Sequence, residues 1–334
     1  MATDEEAARL WPGVALHVVS GKGGTGKTTV AAAMALSLAS NGRRTLLIEV
    51  EGRQGIAQLF DTPPLPYEER KVAVAPDGGE VWALAVDPEE ALLDYLETFY
   101  NLRRAGSALR RMGAIDFVTT IAPGLRDVLL TGKAIEVVRR KDKREPDAYD
   151  AVVLDAPPTG RISKFLNVNS EMSGLAKAGP IRKHADMVMD VIASPRTAVH
   201  LVTLLEEMPV QETIDGVAEL RAHDLPVGGV IVNMTRPPLL TDQQLELAAA
   251  GNLPAKKIRS ALERAGLAAH EADIVPALMR EAADHAQRVA LERRELLRLE
   301  ELSLETIPLP LISGGIDLGG LYQLAELLAE AGVR

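Results

Sequence analysis

One junction constrains this chain more than any other. An apolar run, VALHVVS at 14–20, passes directly into GKGGTGKTTV at 21–30, and the helix-forming stretch TTVAAAMALSLAS follows. Strand, glycine-rich loop and helix in that order make a phosphate cradle. Glycine lets the backbone turn and approach anionic oxygens, the loop N–H groups converge on them, and the helix N-terminus adds partial positive charge. Asn41-Gly42 supplies the stop for that helix. In such a cradle Lys27 reaches the β- and γ-phosphates and the Thr28 hydroxyl is placed to ligate Mg²⁺, while Gly23, Gly24, Thr25, Gly26 and Thr29 surround the phosphates. The ligand implied is a nucleoside triphosphate with Mg²⁺.

Further apolar runs recur at 44–50, 81–87, 149–157, 198–205, 227–234 and 304–310, with helical stretches between them. They are continuous rather than alternating, as expected where helices cover both faces of a sheet. The pattern predicts an α/β fold with a doubly wound, mostly parallel sheet, whose ligands bind at the carboxyl ends of the strands. Residues 88–148 and 160–197 interrupt the alternation as helical insertions, expected to form a subdomain above the sheet edge, and 275–302 reads as one long amphipathic helix with a Leu/Val core stripe. With no repeat or linker, residues 1–334 read as a single P-loop domain.

Hydrophobic residues make up 47% of the chain and aromatics only 3%, so the expected core is aliphatic. The net charge of −10 sets nucleic acid aside as a partner. Cysteine is absent, which removes disulfides, thiolate zinc sites and cysteine-ligated iron–sulfur clusters. The opening MATDEEAARLW has no apolar signal core, and a cytoplasmic location is the expectation, with any membrane contact made through a partner. The six histidines show no H-x-x-x-H spacing, HEAD at 270–273 included, and Met172, Met187 and Met189 read as core filler.

The loop carries a second lysine, Lys22, and KGGTGKTT resembles the deviant P-loop class that contains arsenite-pump ATPases, the tail-anchored-protein targeting ATPase, the partition ATPases and the nitrogenase iron protein. That resemblance implies ATP hydrolysis and a dimer, because in the class the extra lysine crosses to the partner's nucleotide as an arginine finger does. VVLDAPPTGRISKFL at 152–166 resembles the second switch of the arsenite-pump and tail-anchor-targeting branch, implying that Asp155 holds Mg²⁺ through water, with Arg161 standing where a His is usual. LLIEVEGRQGIAQLF at 46–60 resembles the first switch, which implies that Glu51 orients the attacking water, with Glu49 ranked behind it. The family's Pro and His are replaced there by Gly52 and Gln54.

VIVNMTRP resembles the adenine-contacting segment and LPLISGG the closing one, implying that Asn233 and Pro310 meet the base. The wording of several stretches resembles the actinobacterial branch, for which a homodimer or a heterodimer with a paralogous subunit, and a membrane-protein or other client, are the implied partners. Two alternatives stay open: a weakly hydrolysing nucleotide-gated scaffold, and a partition or septum-placement ATPase.

Overall fold

The computed structural model describes residues 9–100, 123–167, 180–267 and 274–334. An eight-stranded sheet organises them, in the order β3-β4-β2-β5-β1-β6-β7-β8. The strands are β1 (Leu16–Gly21), β2 (Arg44–Glu49), β3 (Arg70–Val74), β4 (Glu80–Ala85), β5 (Ala151–Asp155), β6 (Thr197–Thr203), β7 (Val227–Thr235) and β8 (Glu305–Pro310). All neighbours pair in parallel except β3, which runs antiparallel to β4. The parallel strands coincide with the apolar runs. No such run announces β3: its sequence is RKVAV and it lies exposed at the sheet edge, where a charged strand resists pairing with other chains.

The sheet is covered on both faces. Helix α1 (Lys27–Ala39) follows the glycine loop and is buried almost all round, so it lacks a polar face; α11 (Leu318–Glu330) packs over it. These helices close a core of Val19, Leu47, Val153, Val202 and Ile231. Between them in sequence lies a five-residue helix, α2 (Gly55–Leu59). The opposite face buries Leu16, Val18, Leu46, Ile48, Leu154, Val199 and Leu201 under the helices that leave the sheet. Those are α3 (Pro88–Tyr100), α4 (Pro123–Asp142), α5 (Thr159–Leu166), α6 (Pro180–Ile192) and α7 (Glu207–Ala222). Helix α4 packs against α3, α5 and α6, so the two helical insertions meet. Residues 101–122 and 168–179 of those insertions, with Met172, lie outside the described residues, as does His270.

Beyond β7 come α8 (Asp242–Ala249), α9 (Ala255–Arg264) and the long α10 (Ile274–Glu300). The last matches the amphipathic helix expected, but its buried stripe is not purely aliphatic. Glu295, 1% exposed, is held by Arg298 at 2.7 Å and by Arg294 at 3.2 Å. A buried carboxylate is tolerable only with such partners. No described helix is long and apolar enough to cross a membrane.

Candidate functional site

The glycine loop lies at the carboxyl end of β1, the central strand between β5 and β6. Gly21 has no alternative: a Cβ there would come within 2.2 Å of the Val202 carbonyl oxygen on β6. Gly26, at the N-cap of α1, has φ +83°, and a Cβ would sit 2.4 Å from Asn233 Nδ2. The loop is braced from within and from beside. Buried Thr25 donates from Oγ1 to the Lys22 carbonyl at 2.9 Å, and its own carbonyl accepts from Asn233 Nδ2 at 2.9 Å. Ser20 Oγ donates to the Pro157 carbonyl at 2.6 Å, tying the end of β1 to the turn after β5. Gly23 and Gly24 are exposed at the loop's tip, and Thr29 is half-buried in the first turn of α1.

Lys27 is buried at the start of α1. Next to it, Thr28 Oγ1 donates to Asp155 Oδ2 at 2.7 Å. Asp155 ends β5 at 7% exposure, and its second oxygen, Oδ1, is buried without a partner. Burial pushes the Asp155 carboxyl up to about 6, against the Thr28 hydrogen bond and the Lys27 charge, and Glu49 and Glu51 push it the same way as burial. Thus an orphaned carboxylate oxygen and a hydroxyl meet beside the start of α1, where the charge of Lys27 also acts on the carboxyl. Among the described residues no group of three His, Asp or Glu side chains could hold a metal alone.

The first switch separates the two candidate acids. Glu49, 2% exposed, spends its carboxylate on backbone: Oε1 accepts from the Gln54 N–H at 2.5 Å and Oε2 from the Ile56 N–H at 3.3 Å. It therefore caps α2 and anchors the turn. Glu51 is half-buried, and Arg53 stands 3.8 Å from its Oε2. Gly52 has φ +67°, a conformation closed to the proline usual in the family pattern, so the substitution changes the path of the loop. Gln54 brackets Leu65, accepting its N–H at 2.7 Å and donating to its carbonyl at 3.2 Å. Arg161 is exposed on the first turn of α5, just after Pro158.

Asn233 and Pro310 lie near the ends of the paired strands β7 and β8, where Thr235 is in register with Pro310. The carboxamide of Asn233 is already engaged by its Nδ2 in bracing the loop, a role its motif did not announce. Two further features went unread in the sequence: the capping by Glu49, and an ion pair between Lys22 Nζ and Glu212 Oε1 at 2.7 Å. An acid ending a strand before EGRQG was a signal for the first; the second joins residues far apart in sequence.

Residues 15–195 match the family described as anion-transporting ATPase. Over 328 residues the chain is 53% identical to the ATPase BagA of Mycobacterium tuberculosis strain H37Rv, covering 97% of this chain and 96% of that protein. The chain belongs to the anion-transporting ATPase family. It hydrolyses ATP, as the family and its relatives do. The ATPase GET3 of Kluyveromyces lactis is 26% identical over 249 residues, 64% of this chain and 70% of that one.

The ATPase also carries a buried histidine pair. His17 Nδ1 and His200 Nε2 lie 3.0 Å apart, with Trp11 over His200. Burial, reinforced for His17 by the charge of Arg43, lowers His17 to about 3, and burial lowers His200 well below its ordinary value. Below about pH 6.5 the unfolded chain binds two protons that the native chain refuses, so stability falls with pH. Asp155 acts oppositely between 3.8 and about 6, because the native acid binds a proton the unfolded one releases. Two groups against one leave a net loss of stability as the pH falls from 6 to 5 in nucleotide-free protein. Urea midpoints at pH 7, 6 and 5 check it; a midpoint that rises on acidification contradicts the neutral pair.

Proposed function

We propose that this ATPase is a Mg²⁺-dependent, nucleotide-driven dimeric switch that acts on a client or membrane partner from the cytoplasm, and that residues 1–334 act as one P-loop domain. The observation that carries the metal is the orphaned Asp155 oxygen beside Thr28. Thr28 would ligate Mg²⁺ directly and Asp155 through water, a donor set of hard oxygens suited to this ion. Bound there, Mg²⁺ would offset charge on the β- and γ-phosphates.

Gly23, Gly24, Thr25, Gly26, Lys27, Thr28 and Thr29 would hold the phosphates of ATP, and Asn233 and Pro310 would hold the adenine. Glu51 is the carboxylate left to orient the attacking water, since Glu49 is engaged in capping. Lys27 and the loop amides would stabilise developing charge in the same chain, and Lys22 would do so in the partner's site. The partner is a second copy or a paralogous ATPase subunit. Loss of the γ-phosphate would then release the switches and part the two subunits. The absence of cysteine argues against thiolate capture of arsenite by this chain.

Phosphate release per chain, measured against protein concentration with and without a paralogue, is expected to rise with concentration and to vanish in EDTA. A rate per chain that is constant over the range and indifferent to EDTA overturns the reading. A slower version, a nucleotide-gated scaffold, is favoured by one observation: Gln54 ties the first switch to Leu65 on both sides of the peptide. A plateau near zero in the presence of the paralogue would select it.

A further inference from the structure

The signature lysine is not free in the resting chain. Lys22 Nζ lies 2.7 Å from Glu212 Oε1 on α7, with the two side chains 32% and 37% exposed. An ammonium engaged with a carboxylate of its own chain cannot also touch a phosphate held by a neighbour. To act across an interface it must first leave Glu212. An ion pair this exposed shifts an equilibrium by up to about fivefold. It is strong enough to bias where Lys22 rests and weak enough to lose to a triphosphate, whose several negative charges outcompete one carboxylate.

The carrier of Glu212 is itself anchored. Arg294 of α10 pairs with Glu207 at 2.7 Å, and Arg298 donates to Gln211, so the first turns of α7 are fixed from outside. Two turns beyond Glu212, on the same face of α7, Glu219 accepts from Ser163 of α5, the helix that continues the second switch. The helix that holds Lys22 is therefore also in contact with the element expected to respond to the γ-phosphate.

We propose that Glu212 is a positioning residue that parks Lys22 in the resting ATPase and raises the amount of triphosphate-loaded partner needed to engage it. This rests on the trans role of Lys22 proposed above. Reductive methylation of the full-length, nucleotide-free chain, read at Lys22 by mass spectrometry, tests the parking without reference to turnover. Glu212→Gln is expected to speed labelling at Lys22 about threefold to fivefold, with Glu212→Asp in between. The same Gln variant is expected to reach half-maximal ATP hydrolysis at a protein concentration lower by a similar factor, with its plateau kept. Adding it to Lys22→Ala is expected to change nothing further. Unchanged labelling overturns the parking role. Faster labelling without a shift in half-maximal concentration overturns the control of assembly. Faster labelling together with wild-type turnover of Lys22→Ala leaves the ion pair standing and removes the trans lysine, and the latch with it.

Discussion

Lys22→Ala is expected to bind ATP with nearly wild-type affinity and to hydrolyse it about 10³-fold more slowly, roughly 4 kcal/mol of barrier. The nucleotide-binding part of the expectation follows from where Lys22 stands. It lies near the loop's tip, partnered by Glu212, while Lys27 is buried at the start of α1, next to the Thr28 that donates to Asp155. The turnover part follows from the proposed reach of Lys22 into a partner's site. Truncation leaves Glu212 exposed to water rather than stranded, so the fold loses little. Phosphate release at saturating ATP and an analogue-binding titration on the same variant give the two halves. Wild-type turnover removes the finger role, whereas lost nucleotide affinity would place Lys22 on the phosphates of its own chain. Mixing Lys22→Ala with a chain whose own cradle is disabled by Lys27→Ala adds a direct check, since a lysine acting in trans restores one working site per mixed dimer.

How far the sequence disclosed all this depends on whether a feature is local. The glycine loop was legible because its pattern is complete within ten residues, with Gly24 and Gly26 in the left-handed region that favours glycine. The parallel strands were legible because burial on both faces leaves continuous apolar runs, as in AVVLD of β5. Strand β3 was not, because RKVAV lies at an exposed edge and carries no such run. Nor was α9, which buries no residue and so commits no apolar stripe to the core.

At the site, the substitution of Gly52 for proline was visible, but only its φ of +67° shows that the loop takes a path proline cannot follow. Asn233 bracing Thr25 and Glu212 holding Lys22 were illegible for one reason. Each joins a loop to an element that reaches it only through the packing of helices and strands, and no spacing in one chain segment encodes such a meeting.

The same distinction decides between the two acids of the first switch. Glu51→Gln is expected to retain ATP and to slow its hydrolysis by about 10²–10⁴-fold, the range of a lost general base or polarising carboxylate. The exchange keeps the shape of the side chain and removes only its charge, and that charge is used by little else: Arg53 is 3.8 Å away and largely exposed. Glu49→Gln acts differently. Its carboxylate accepts two backbone N–H groups, and an amide can satisfy one of them with its oxygen while presenting N–H to the other. The turn before α2 should then loosen, lowering protection of the Gln54 and Ile56 amides against hydrogen exchange even without nucleotide. A kinetic defect with an intact turn for Glu51, and a loosened turn for Glu49, is the expected pair of results. Wild-type hydrolysis by Glu51→Gln, measured in a single turnover, would instead move the water-orienting role to another group.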